Sequence, residues 1–366
     1  MRVASVVPPI LLLSATVLAA PISAQDVPLF ASDEVLQFTV VAPLEDIFDH
    51  RDQESEEYPG IIIVDAGTHL DTVEVDIRTR GRSRLDNSIC RFPPLRLDFP
   101  KSRVGGTVFE GQDKVKLVTH CRDDDRYEQD VIKEALAYRF FNELTDVSFR
   151  VRVARITYED TSSDDDPRTR HGFLIEPEEV VAERTGWSYI ATPNVAPDYS
   201  DPEHLALLEM FQYMIGNADF SAFSADPGSD ECCHNTKPIG EFSGPIFALP
   251  YDFDITGFVD TRYADRLFRG NLQRLGVRDI RDRRFRGLCQ SEEHWDAVLQ
   301  LMVDRRDAIE GVIRDQEGLE PDPRDGALEY IGVFFEMLQD PDRARETFLD
   351  ECIPTRFEDR RPGRPP

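Results

Sequence analysis

Two carboxylates stand inside an otherwise apolar and aromatic stretch, "ALPYDFDITGF" (Ala248 to Phe258): Asp252 and Asp254. An ionised carboxylate is costly to take out of water unless charge or hydrogen bonds compensate it. A period of two places both on one face of a short strand, beside Phe253. Upstream, "MIGNADF" ends an apolar helix at Gly216 and leaves Asn217 and Asp219 on the loop beyond, and "CCHNTKPI" supplies Asn235. Taken singly, an Asp after a helix and an Asn before Thr are ordinary turn formers. Together they make an oxygen-donor set suited to a hard divalent cation. Phosphoryl transfer uses such a set: one carboxylate orients the attacking hydroxyl, while Asn and Asp hold magnesium against nucleotide phosphates. A metal-dependent hydrolase is the weaker reading, because such enzymes commonly add histidine ligands. The 7 histidines here are scattered, and only His234 lies near the cluster.

The elements that must position these residues fall into two halves. "EVLQFTVVAPL", "GIIIVDAG", "DTVEVDIRTRGRSR", "FPPLRLDFP", "DKVKLVTHC", "FRVRVARITYED" and "HGFLIE" read as strands, several with clear alternation. Among them, "YEQDVIKEALAYRFFNEL" carries a helical apolar face through Val131, Leu136, Phe140 and Leu144. "PEEVVAERTG" reads as a short helix with Pro177 at its start and Gly186 at its end. Beyond the proline-rich "ATPNVAPDYSDP" the chain becomes mainly helical, in "EHLALLEMFQYMIGN" and "EEHWDAVLQLMVDRRDAIEGVIRDQ". A β-rich half joined to a helical half predicts an α+β, bilobal protein with a cleft between lobes, a preferred place for ligands.

Composition narrows the partners. The formal net charge is −28, which disfavours nucleic acid and anionic membranes. The N-terminus reads as an export signal over residues 1–24, with the apolar "ILLLSATVLAA" too short to span a bilayer. A secreted or periplasmic chain with no membrane span follows. The six cysteines then read as disulfides, not metal thiolates. Cys90 and Cys121, at the edges of adjacent strand-like segments, form the favoured pair. The adjacent Cys232 and Cys233 are expected to reach Cys289 and Cys352, not each other.

Several of these pieces resemble the CotH (spore coat protein H) family of atypical secreted kinases. They are "RGRSR", "FPPLRLDF", "EALAYRFFNEL", "FRVRVARITYED", "HGFLIEPEEVVAE", "GNADF", "HN" and "LPYDFDITGF", in order over about half the chain. The resemblance implies a protein-kinase-like fold with a β-rich N-terminal lobe (25–190), a helical catalytic C-terminal lobe (191–320) and a C-terminal helical extension with a disordered tail (321–366). It implies ATP with Mg²⁺ or Mn²⁺, and transfer of the γ-phosphoryl group to hydroxyl side chains of exported proteins. A catalytically inactive, kinase-like envelope scaffold is the alternative. By position, Asp219 is the catalytic aspartate, Asn235 and Asp252 are metal ligands, and Asp254 takes a second metal or holds the loop. The N-terminal half then owes a lysine for the phosphates and a helix carboxylate to orient it. Lys116 is first choice with Lys114 as alternate, and Glu134 is its expected partner ahead of Glu128. The basic knot "RTRGRSR" places Arg80, Gly81, Arg82, Ser83 and Arg84 at a strand end, where it reads either as a tight turn that meets phosphates or as a solvated hairpin tip. The departures are the long insert between Asp219 and Asn235 and the lack of a histidine close after Asp219.

Overall fold

The structure, a computed structural model, describes residues 28–52, 56–65, 69–264, 266–267 and 277–354. The expected export signal and C-terminal tail lie outside the described residues.

The alternating segments form seven strands: β1 (Leu36–Ala42), β2 (Tyr58–Asp65), β3 (Leu70–Thr79), β4 (Leu95–Asp98), β5 (Lys114–Val118), β6 (Val151–Asp160) and β7 (Arg168–Ile175). They close into a barrel in the order β1-β2-β3-β4-β5-β7-β6. All neighbours run antiparallel except the closing pair, in which β1 lies parallel to β6 from Leu36↔Ala154 to Ala42↔Asp160. This corrects the expected bilobal protein-kinase-like architecture. The N-terminal strands do not make an open lobe sheet, because the parallel β1–β6 ladder leaves no free edge. Inward positions alternate along each strand, as in Val73, Val75 and Ile77 of β3, and these meet Val40, Ile62 and Leu97 in the barrel interior. Helix α1 (Leu44–Asp49) follows β1 and is held to the barrel rim by Asp160, whose carboxylate accepts the Leu44 and Glu45 amides at 2.8 and 3.0 Å.

A second core lies outside the barrel. Helix α2 (Asp125–Leu144) is started by Asp124, whose side chain accepts the Arg126 amide. It packs on the barrel through Phe173 and Val153, and on its other side meets α4 (Pro202–Met214) and the later helices. That core includes Phe211, Phe253, Trp295 and Phe334, so α7 (Pro321–Leu338) shares it with α2 and α4. Truncating a fully buried ring such as Trp295 removes roughly 3–5 kcal/mol by area and cavity effects. The predicted short helix is α3 (Glu178–Thr185), ended by Gly186 in the left-handed region (φ 79°). The long C-terminal helical stretch breaks at Arg305 into α5 (Glu292–Asp304) and α6 (Arg306–Asp315). A small sheet, β8 (Ser188–Tyr189), β9 (Thr236–Gly240) and β10 (Ile246–Pro250), connects α3 to the residues singled out above.

Three disulfides are present, which fits an oxidising compartment. Cys90–Cys121 is bonded as expected. Cys232 and Cys233 bond to each other, and Cys289 bonds to Cys352, which corrects the expected cross-pairing. The reason is local: a bridge between Leu288 and Ile353, with the Cys289 amide donating to the Ile353 carbonyl, brings Cys289 and Cys352 side by side. No helix among the described residues is long and apolar enough to cross a membrane.

Candidate functional site

The site forms where the rim of the barrel meets α2, the loop after α4 and the mouth of the β9–β10 hairpin. Pro250 pairs with Thr236, so Asn235 and the Tyr251–Asp252 segment emerge side by side, and the Tyr251 amide donates to the Asn235 carbonyl at 3.1 Å. Both Asn235 (φ 53°) and Asp252 (φ 63°) lie in the left-handed region. Such backbone costs a non-glycine residue energy and collects at functional sites. The Asp252 amide is held by Tyr138 Oη at 2.9 Å. Gly216 (φ 65°) closes α4, and its carbonyl accepts the Gly257 amide at 3.1 Å, which ties the Asp219 loop to the loop carrying Asp254. A Cβ at Gly216 would collide with Tyr330 Oη.

Asp219 is shaped by its own loop and gripped from two sides. Asn217 Oδ1 accepts the Asp219 amide at 2.8 Å. Asn235 Nδ2 donates to the Asp219 carbonyl at 2.7 Å and to Oδ2 at 3.3 Å. His234 Nε2 lies 2.6 Å from Asp219 Oδ1, and its Nδ1 lies 2.5 Å from Asp226 Oδ1. The hydrogen bond to Asp219 raises the His234 pKa above its ordinary value, against the opposing effect of burial. Asp226 is in turn ion-paired with Arg82 on the barrel.

Asp252 and Asp254 meet a buried arginine. Arg84 Nη2 donates to Asp252 Oδ1 at 2.8 Å, its Nη1 lies 3.4 Å from Glu134 Oε2, and its Nε lies 3.5 Å from Asp254 Oδ2. Tyr263 Oη donates to Asp254 Oδ2 at 2.8 Å. Burial pushes the Glu134 carboxyl up to about 8, against the pull of Arg84. Burial likewise lifts Asp254 to about 6, with Arg84 opposing. For Arg84, burial is outweighed by Asp254 and Glu134, so the guanidinium stays charged.

The remaining sequence candidates are distributed differently than expected. Lys116 is paired with Glu178 Oε2 at 2.9 Å, not with Glu134, which Arg84 holds. The register explains this: Lys116 stands opposite Ile175, and its side chain meets the first turn of α3. Burial lowers the Lys116 ammonium below the usual lysine range, with Glu178 opposing. Lys114 pairs with Asp98 across β4 at 3.3 Å and joins none of the cluster. Glu128, the second choice, accepts from His171. Gly81 (φ 106°) lets the chain reverse after β3, so Arg80, Arg82 and Arg84 take different directions. Arg82 reaches Asp226, exposed Ser83 opens a 3₁₀ turn, and Arg84 turns inward to carboxylates rather than outward as a phosphate-facing residue.

Arg80 belongs to the basic knot and His234 stands beside the acidic cluster in the sequence, whereas Glu178, Lys237, Tyr138 and Asp226 were not among the expected site residues. Arg80 is half-buried beside Asp252, Arg84 and Lys116, and its guanidinium has no hydrogen bond or ion pair among the described residues. Lys237 lies 6.0 Å from the Tyr251 ring centre, and Lys116 lies 5.7 Å from it, so the two lysines share one aromatic face region. Glu178, Tyr138, His234 and Asp226 complete the surroundings.

For a divalent cation, the free acceptors are Asn235 Oδ1 and Asp252 Oδ2, which carry no hydrogen bond among the described residues. Among the described residues, no three His, Cys, Asp or Glu side chains are grouped to form a cage. Carboxylate and amide oxygens of this type are ordinary ligands of a hard divalent cation. No protein-family model matches this sequence, and no curated protein matches it either.

Proposed function

We propose that the protein is a secreted phosphotransferase of the CotH kind, moving the γ-phosphoryl group of ATP to a hydroxyl side chain of an exported protein with the help of Mg²⁺ or Mn²⁺. One observation carries this reading: an acidic group (Asp219, Asn235, Asp252, Asp254) meets a basic one (Arg80, Lys116, Lys237) at one place between the barrel and the helical core. Opposed sets of this kind suit a polyphosphate that arrives with its cation. The bound cation supplies charge neutralisation at the phosphates. Asn235 and Asp252 would hold it, while Arg80, Lys116 and Lys237 would bind phosphate oxygens. Asp219, oriented by Asn217, Asn235 and His234, would accept the proton of the attacking hydroxyl. The oxidising compartment indicated by three disulfides supports an exported acceptor.

The test is transfer of label from γ-labelled ATP with Mn²⁺, to the protein itself and to mixed exported proteins. Wild type is expected to label. Asp219→Asn and Asp252→Asn are expected to lose on the order of a hundredfold or more while melting normally. No labelling, together with no thermal shift from ATP and Mg²⁺, contradicts the reading. A second reading, nucleotide binding without turnover, is favoured by the engagement of Asp252 by Arg84 and of Asp219 by His234. It predicts a metal-dependent thermal shift without labelling.

A further inference from the structure

The charges around Arg84 do not balance. One guanidinium faces three carboxylates: Glu134 from α2, and Asp252 and Asp254 from the loop after β10. The side chains of Arg84, Glu134 and Asp254 are only 9 %, 3 % and 5 % exposed, whereas Asp252 opens to solvent at 40 %. Glu134 Oε1 is buried with no partner. A buried ion pair is worth its desolvation only when the remaining lone pairs are met. Here only the contact to Asp252 is short, and those to Glu134 and Asp254 are at the limit of hydrogen-bond length. Arg80 stands near Asp252 without closing on it. The cluster is thus short of positive charge on the side where Asp252 meets water.

We propose that Arg84 restrains the cation site: in the metal-free protein it holds Asp252 through Oδ1, beside the Oδ2 that would take a divalent cation, and so lowers the affinity for that cation. The proposal rests on the metal-dependent reading of the site. Guanidinium and metal compete for the same carboxylate, and as like charges they repel at close range. Removing the guanidinium frees Asp252 for the metal. It also leaves Asp252 facing Asp254 with no neutralising charge between them, so the fold comes to depend on an added cation.

The experiment is calorimetric titration of the full chain with Mn²⁺ alone, paired with thermal melts with and without Mn²⁺. The variants are Arg84→Gln, and Arg84→Gln combined with Glu134→Gln to relieve the repulsion. Both are expected to bind Mn²⁺ on the order of tenfold more tightly than wild type, and Arg84→Gln is expected to gain more melting temperature from Mn²⁺ than wild type does. Unchanged or weaker binding in the double variant, with wild-type binding intact, overturns the competition but leaves the metal reading standing. Should Mn²⁺ bind only together with a non-hydrolysable ATP analogue, the same comparison is read in its presence; absence of Mn²⁺ binding in all three proteins with and without the analogue overturns both. Should the variants not fold, ¹⁵N-labelled wild type decides: the Arg84 Nε–H resonance is expected to shift as Mg²⁺ saturates, and a resonance that stays in place during saturation overturns the proposal.

Discussion

Among the described residues, the side chains of Arg84 and Arg184 are both buried against carboxylates, and the fold treats them differently. Arg184 on α3 meets Glu176 in a two-pronged pair, Nε to Oε1 and Nη2 to Oε2, both at 3.0 Å, with the two side chains 3 % and 2 % exposed. Its Nη1 donates to the Asp146 carbonyl, Nη2 donates also to the Ser148 carbonyl, and Glu176 Oε2 also accepts the Arg150 amide. Charge is matched one to one and the polar atoms are met, which is how a structural pair survives burial. Arg84, by contrast, spreads one charge over three carboxylates, leaves Glu134 Oε1 orphaned, and sits between segments that carry left-handed Asn235 and Asp252. A buried charge cluster that is incomplete in its own chain is what the proposed cation site requires. The contrast separates packing from function better than burial alone, which both arginines share.

The comparison can be broken from either side. The largest effect expected is at the balanced pair: Arg184→Met should cost roughly 3–5 kcal/mol of unfolding free energy by stranding Glu176, measured in denaturant, with no rescue by Mn²⁺. Rescue by the cation would erase the distinction drawn here. Next is Glu134→Gln, whose effect should depend on pH. In the folded chain Glu134 keeps its proton up to about pH 8, whereas the unfolded chain releases it in the ordinary glutamate range. Wild-type stability from this group is therefore full in acid and falls as pH rises through that window, by at most about 1.4 kcal/mol per unit. Glu134→Gln should match wild type near pH 5 and exceed it increasingly toward pH 8 in thermal melts. A constant offset across that range would place the orphaned oxygen outside the energetics. The smallest effect expected is Tyr138→Phe, which removes the acceptor for the Asp252 amide and should cost about 1 kcal/mol. Its use is to show how tightly the left-handed Asp252 is held: a gain in Mn²⁺ affinity would indicate that the tether restrains the ligand.

Much of the local structure was readable. Alternation marked β1 through β7, and the spacing of Val131, Leu136 and Phe140 marked α2, because period two and period 3.6 are imposed by burial on one face. Closure of the barrel was not readable, since nothing local in Leu36–Ala42 names Val151–Asp160 as its parallel neighbour. Of the site, Asp219 and Asn235 were singled out, and they are found hydrogen-bonded to each other. The inward turn of Arg84 was hidden, because its carboxylates come from 50 and 168 residues away along the chain. Likewise Asp226 sits in the insert between Asp219 and Asn235, which counted as a departure from the family pattern, yet it links Arg82 to His234. A basic run in an acidic chain looks like a solvated turn until the fold supplies its partners.

The central claim is that the carboxylates and amide at the hairpin mouth accept a divalent cation together with a nucleotide polyphosphate. Its most direct test is calorimetric titration of wild type and Asp252→Asn with a non-hydrolysable ATP analogue, with and without saturating Mg²⁺. The account predicts binding by wild type that depends on Mg²⁺ and is lost or greatly weakened in Asp252→Asn. Binding of equal strength in the two proteins, or binding by wild type indifferent to Mg²⁺, would contradict it.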